Sequence, residues 1–222
     1  MMQTRPKSPP SKTQPTRRAL LHRLCAGLLS AFVIAAQPSP GRADQAADAA
    51  GFLISLTDRA IAELADASIP VDERKMRFRK LFKESFDIPA IGRFVLGRYW
   101  RSASDEAQRE FLTVFEDVMV ERFGPQFEGY AGTKFQIGVI REVQEDNQLM
   151  VSSTIAPPNA EVAQVDWRLR NDGGRFMVLD VVAQGVSMAL TLRSEYATVL
   201  KNSGGKIDAL IALLRQRTTK TG

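Results

Sequence analysis

Among residue types that do chemistry, the chain has one histidine and one cysteine, His22 and Cys25. In a folded domain they could form a Cys-His nucleophile pair, part of a Ser-His-Asp relay, or metal ligands. Here both fall in the first forty-odd residues, which read as an export address. Residues 1–23 are polar, proline-rich and basic (Arg5, Lys7, Lys12, Arg17, Arg18, Arg23) and contain no Asp or Glu. Residues 24–36 are an uncharged run of 13 residues, apolar but for Ser30, which suits a signal-peptide h-region and falls short of the about 20 needed to span a bilayer. Gln37-Pro38-Ser39-Pro40 breaks any helix, and Gly41-Arg42-Ala43 places small residues at the third and first positions before a cut. The expected organisation is a cleaved signal peptide over 1–43 and one domain over 44–222. Thr16-Arg17-Arg18-Ala19-Leu20-Leu21 resembles a twin-arginine signal. An ordinary n-region with two adjacent arginines fits the same letters, so the Sec and twin-arginine routes both stand. The rivals are an uncleaved anchor and a cytosolic chain with a loose tail. Cys25 lacks the small preceding residues of a lipobox.

Cleavage after Ala43 changes which reactions are open to the chain. Seven of the 30 basic residues and none of the 25 acidic ones precede Asp44, leaving 23 against 25 and a net charge of −2. The isoelectric point near 9.6 then belongs to the leader and gives no support for nucleic-acid binding. With no imidazole and no thiol left, disulfides, His or Cys metal sites and His-based nucleophile activation are excluded. Carboxylate, Lys, Tyr and Ser chemistry remains. Asp166 and Asp180 are the acid–base candidates, but Asp166 alternates with apolar neighbours and should point away from the core.

The elements that must position these groups follow from periodicity. Leu53, Leu56, Ala60 and Leu64 make one stripe of a helix from about Ala46 to Asp66, broken by Ser68-Ile69-Pro70. A second helix from Val71 carries Asp72 and Glu73 at its positive end and buries Phe78, Leu81, Phe82 and Phe86. Asp87-Ile88-Pro89 opens a short helix with Ile91 and Leu96 inward, ended by Gly97. Ser104-Asp105-Glu106 caps a long helix bearing Phe111, Phe115, Val118 and Phe127, kinked or split at Gly124-Pro125. From Lys134 the period becomes two: Phe135, Ile137 and Val139, then Leu149, Val151 and Ile155, then Ala163, Val165, Trp167 and Leu169. Asp146-Asn147 and Asn171-Asp172-Gly173-Gly174 supply turns. Gly185-Val186-Ser187 leads into a helix with Met188, Leu192, Tyr196, Val199 and Leu200 on one face. A last helix follows Gly204-Gly205 with Ile207, Leu210, Ile211 and Leu214. This order predicts an α+β fold, an antiparallel sheet of about four strands with helices on one face. Periodicity alone leaves open whether that face is solid core or a cone with a cavity.

Phe78-Arg79-Lys80-Leu81-Phe82, Phe86-Asp87-Ile88-Pro89-Ala90-Ile91 and Leu96-Gly97-Arg98-Tyr99-Trp100-Arg101 resemble the MlaC family, also called toluene-tolerance or Ttg2-type periplasmic proteins. Tyr130-Ala131-Gly132, Asp180-Val181, Gly185-Val186-Ser187-Met188, Arg193-Ser194-Glu195-Tyr196 and Gly204-Gly205 extend the resemblance, in order, over residues 46–215. Ala183-Gln184 departs from the hydrophobic residue and glutamate expected there. The resemblance implies an NTF2-like cone with an apolar cavity and a monomeric periplasmic phospholipid carrier. Its partners would be an inner-membrane MCE/ABC transporter complex and an outer-membrane lipoprotein–porin complex. No cofactor, metal, nucleic acid or catalytic residue is implied. The lipid-wall candidates are Phe78, Phe82, Trp100, Phe111, Phe115, Phe135, Ile137, Val165, Trp167, Val186 and Met188. For each, ordinary core packing is the competing role. Arg93, Arg98 and Arg101 could meet a lipid phosphate, a partner's acidic surface, or simply solvent.

Three other functions compete. A carboxylate-dependent isomerase or dehydratase would need an acid or base on the cavity face. An interaction module would bind envelope proteins without a small ligand. A related carrier would take a hopanoid or another apolar lipid.

Overall fold

A computed structural model describes residues 40–143 and 147–221; the expected signal peptide, with His22 and Cys25, lies almost wholly outside them. Helix α1 spans Pro40–Leu64 and starts earlier than the stripe alone predicts. Its buried side is the expected one, with Leu53 and Leu64 fully shielded; each such leucine contributes about 1.5–3 kcal/mol. After the break, α2 runs Val71–Ser85. Arg74, only 1% exposed, joins the two helices: Nε donates to Leu64 O at 3.0 Å, Nη2 to Asp66 O at 3.0 Å, and Nη1 to Glu128 Oε2 at 3.2 Å. The guanidinium thereby satisfies the Leu64 carbonyl at the end of α1 and shares the Asp66 carbonyl of the following turn with Ile69 N.

Helix α3 (Ile88–Leu96) starts at the Asp87 cap, whose Oδ1 accepts from Ala90 N at 3.1 Å. Gly97, at φ 55° and ψ −121°, turns the chain into the short α4 (Arg98–Ser102), a conformation that side chains with a Cβ rarely adopt. Ser104 caps α5 (Asp105–Phe123) through its hydroxyl, which accepts from Ala107 N. As expected, Gly124-Pro125 ends that helix, and a 3₁₀ turn, Gly124–Phe127, replaces it.

The described residues then form one open antiparallel meander: β1 (Lys134–Val143), β2 (Gln148–Ala156), β3 (Ala163–Asp172), β4 (Arg175–Ala183) and β5 (Val186–Ser187), in that spatial order. The two-residue β5 was not expected. It pairs Val182 with Ser187 and Ala183 with Val186 across a turn at Gln184-Gly185, before α6 (Met188–Asn202) and α7 (Ile207–Thr221). Gln184, the departure from the family pattern, is an exposed turn residue at φ 50°.

Two bulges correct the simple alternation. Between the pairs Ile137–Ser153 and Ile140–Val151, β1 has one residue more than β2. The parity of side chains therefore flips, turning Val139 outward at 62% exposure while Ile140 packs on the core. Between Arg168–Asp180 and Leu169–Val178, β4 likewise carries an extra residue, Leu179. Helices α1, α2, α3 and α6 pack against the sheet, whose Leu149, Val151, Val165, Leu169, Phe176 and Val178 share one face and are each buried.

Candidate functional site

Helix α2 places Phe78 and Phe82 one step of four apart, and Phe86, the extended residue that ends the helix and bridges to Val178 of β4, continues the row of rings. Phe78 and Phe82 stack at 5.8 Å and 10°, and Phe82 and Phe86 approach to 4.8 Å. The 3₁₀ turn after α5 brings Phe127 against Phe78 at 5.6 Å and Tyr130 against Phe127 at 6.1 Å. From the sheet, Trp167 closes the arrangement, edge-on to Phe135 at 6.4 Å. An indole N–H in an apolar wall needs a partner. Ser153 on β2, itself buried, supplies one: Trp167 Nε1 donates to Ser153 Oγ at 2.9 Å, and that hydroxyl donates to Val165 O at 2.8 Å.

Around these rings lie two cavity lobes of about 250 and 300 Å³, the lower end of the size range of small-molecule sites. Phe78, Phe82, Phe86, Phe123, Phe127 and Trp167 border both lobes, so the aromatic column is a shared wall. The first lobe continues between Leu56, Ala60 and Ile61 of α1 and Ile155 of β2, with Thr57, Gln126, Tyr130 and Thr133 as its polar members. The second runs between Ile91, Phe115, Met119 and the start of α6, at Met188, Ala189 and Leu192. Leu179, Asp180 and Val181 of β4 all border it: Val181 pairs with Trp167, and Leu179 is the extra residue of the bulge.

Among the described residues, Asp180 is the only charged side chain on either lobe, and both its oxygens are committed. Oδ2 accepts from Ser187 Oγ and Oδ1 from Ala189 N at 2.9 Å, while Ser187 Oγ accepts from Leu190 N. The carboxylate thus braces the α6 N-terminus and is not positioned as a free acid or base. Asp166 pairs with Ser152 and Val182, on the face opposite Trp167.

Of the wall candidates, Phe78, Phe82, Phe115, Trp167 and Met188 border the cavity. Phe135 and Ile137 pack behind that wall as half-buried neighbours of the core. The structure places the remaining four elsewhere. Phe111 is fully buried against Tyr196 at 6.1 Å, and Val165 is buried beside Ser153. Trp100 is half-buried under the Arg93 guanidinium. Val186 lies on the edge strand with 58% of its surface exposed. Phe86 and Phe127, marked by periodicity only as helix-face residues, also border the lobes, as do Ile61, Met119 and Phe123, which periodicity did not mark. Ser153 borders neither lobe, and the inward hydroxyl that holds the Trp167 indole reads in the sequence as an ordinary polar strand residue.

A family model for the MlaC protein matches residues 55–216. The intermembrane phospholipid transport system binding protein MlaC of Haemophilus influenzae is 29% identical over 133 residues, covering 58% of this chain and 61% of that protein. Toluene tolerance protein ttg2D of Pseudomonas putida is 21% identical over 114 residues, covering 51% and 53%. The chain therefore aligns with only about half to three-fifths of the length of these curated relatives. A phospholipid-binding protein from Ralstonia solanacearum, solved in complex with a phospholipid, superposes with a TM-score of 0.69 at 18% identity, covering 77% of this chain and 97% of that one. The neighbour shares the fold, the family match spans most of the domain from α1 to α7, and the chain belongs to the MlaC family.

Proposed function

We propose that this chain is a monomeric periplasmic carrier that holds a phospholipid by its acyl chains in the two-lobed cavity. It would ferry that lipid between an outer-membrane lipoprotein–porin complex and an inner-membrane MCE/ABC transporter complex. The observation that carries the reading is the wall itself: aromatic and aliphatic side chains, with the one carboxylate already hydrogen-bonded on both oxygens. Two acyl chains hold on the order of thirty methylenes worth ~0.8 kcal/mol each when shielded from water, so a dry container is the first requirement for crossing an aqueous space. The polar members of the first lobe, Thr57, Gln126, Tyr130 and Thr133, suit the glycerol and ester groups. The names of the relatives support the cargo class. Cleavage after Ala43, and export by the Sec or the twin-arginine route, are part of the proposal. The commitment of Asp180 and the outward placement of Asp166 weigh against the isomerase alternative.

Mass spectrometry of gently purified protein tests the reading. Stoichiometric phospholipid is the expected result. A hopanoid in its place would identify the related carrier, and no lipid at all from any expression host would defeat both.

A further inference from the structure

We propose that the outer faces of α3, α4 and the first turns of α6 form a docking surface for an anionic phospholipid bilayer. The sequence concentrates one sign of charge there. Residues 88–104 contain no acidic side chain, nor do residues 181–194, although residues 44–222 as a whole carry a net −2. Arg93, Arg98, Arg101 and Arg193 are exposed, and among the described residues none of them lies within 4.0 Å of a carboxylate. Elsewhere among the described residues Arg59, Arg74, Arg77, Arg79, Arg170 and Arg215 are in ion pairs, while Arg109, Arg122, Arg141, Arg168 and Arg175 are not; what sets the patch apart is that four such arginines fall in two stretches without any acidic residue.

Aromatic faces take the place of carboxylates on this patch. Arg193 lies over Phe94 at 4.9 Å, Arg98 over Tyr99 at 4.8 Å and Arg93 over Trp100 at 5.9 Å. Arg98 also donates to Tyr99 Oη at 2.8 Å. Stacking orients a guanidinium without neutralising it, and leaves its fork free for phosphate oxygens. The patch is continuous across elements: the Arg193 guanidinium comes within 3.1 Å of where a Cβ on Gly97 would sit, at the junction of α3 and α4.

Between the cations, Phe94 and Leu190 expose 39% and 58% of their surface. Unpaired arginines around exposed apolar tips match the headgroup layer of a membrane, where phosphates overlie acyl chains. An acidic protein surface would explain the arginines but not the exposed Phe94 and Leu190. Attachment would be peripheral, since no helix among the described residues is long and apolar enough to cross a membrane. The inner sides of the same helices, at Ile91, Ala189 and Leu192, line the second lobe, so docking would bring that wall close to the bilayer. The surface argument itself does not require the cavity to hold lipid.

The test is co-sedimentation with phosphatidylcholine vesicles and with the same vesicles containing phosphatidylglycerol. Binding should appear only with phosphatidylglycerol and vanish at high salt. An arginine near an anionic surface is worth about fivefold in binding, so Arg98→Gln with Arg193→Gln should weaken it on the order of twentyfold. The charge-matched pair Arg141→Gln with Arg175→Gln, on exposed strand positions, should have little effect. Equal binding to both vesicle types, equal loss from the control pair, or association only with an acidic envelope protein would overturn the proposal. Lipid extracted from the same preparations reports the cavity separately. Retained lipid without vesicle binding sinks only the docking surface, and vesicle binding by protein that never holds lipid sinks only the carrier reading.

Discussion

Replacing Trp167 with glutamate places a charge on the wall common to both lobes. In the protein without cargo the site is half-buried, so the new carboxylate can stay hydrated through the cavity. The folding cost is then the lost edge contact with Phe135 and the lost bond to Ser153, about 2–3 kcal/mol together. Loading an acyl chain would strip water from the carboxylate at a cost of several kcal/mol. At about 4 kcal/mol this is close to a thousandfold loss of affinity. The measurement is lipid per protein by mass spectrometry, beside a thermal melt to confirm folding. Val186→Glu, at a position 58% exposed, is the counterpart: it should keep both its lipid and its stability to within about 0.5 kcal/mol. The pH dependence has a definite sign. In the unloaded Trp167→Glu protein the introduced carboxyl should titrate near the ordinary glutamate value of about 4.3, and burial under lipid raises its pKa. The penalty is therefore present above that value and fades as pH falls toward about 4, so occupancy should recover on acidification. A folded Trp167→Glu protein with full lipid at neutral pH, or equal loss in Val186→Glu, would refute the cavity assignment.

Other expectations concern the frame. Arg74→Met removes three hydrogen bonds from a guanidinium that is 1% exposed and leaves the carbonyls of Leu64 and Asp66 without that donor; urea unfolding should show a loss of about 3–5 kcal/mol with an unchanged slope. Gly97→Ala puts a Cβ at φ 55° and against Arg193, so the urea midpoint should fall by the equivalent of about 1–2 kcal/mol. Tyr196 has a buried hydroxyl with no hydrogen-bond partner among the described residues, and burial pushes its phenol well above the usual range. Because the folded state disfavours the phenolate, the native protein should keep this contribution below pH about 10 and lose stability above it. Tyr196→Phe should abolish that alkaline loss and be equal or slightly more stable at neutral pH, as read by thermal melts across the range.

Much of the frame was legible because it depends on local rules. The Ser104 cap, the Gly124-Pro125 break, the paired glycines at Gly173-Gly174 and the buried stripe of α1 follow from neighbours within one or two turns. The departures all depend on partners distant in sequence. Val139 faces out because β1 gains a residue against β2, and Leu179 joins the cavity because β4 gains one against β3; a single strand's alternation carries no trace of either event. Phe111 and Phe115 share one helix at a step of four. Yet only Phe115 borders the cavity, while Phe111 meets Tyr196 of α6. Which ring becomes wall and which becomes core is decided by the opposing helix. Ser153 shows the same limit, since its inward hydroxyl makes sense only beside the Trp167 indole.

The aromatic wall also bears on how a carrier could release what it holds. A gain approaching the full ~0.8 kcal/mol for each of thirty methylenes, on top of good van der Waals contact, would make the protein a sink. Here the wall is already partly self-satisfied: Phe86, Phe82, Phe78, Phe127 and Tyr130 contact one another in an unbroken series of ring pairs between 4.8 and 6.1 Å. On the carrier reading, a chain that parts these rings on entering would lose contacts worth about 0.5–1.5 kcal/mol each beyond area burial. Parting all four pairs would offset at most roughly 2–6 kcal/mol of the gain on loading. On the carrier reading, the rings that make the cavity dry also keep its affinity near that of a bilayer, because the empty state retains stabilising contacts of its own.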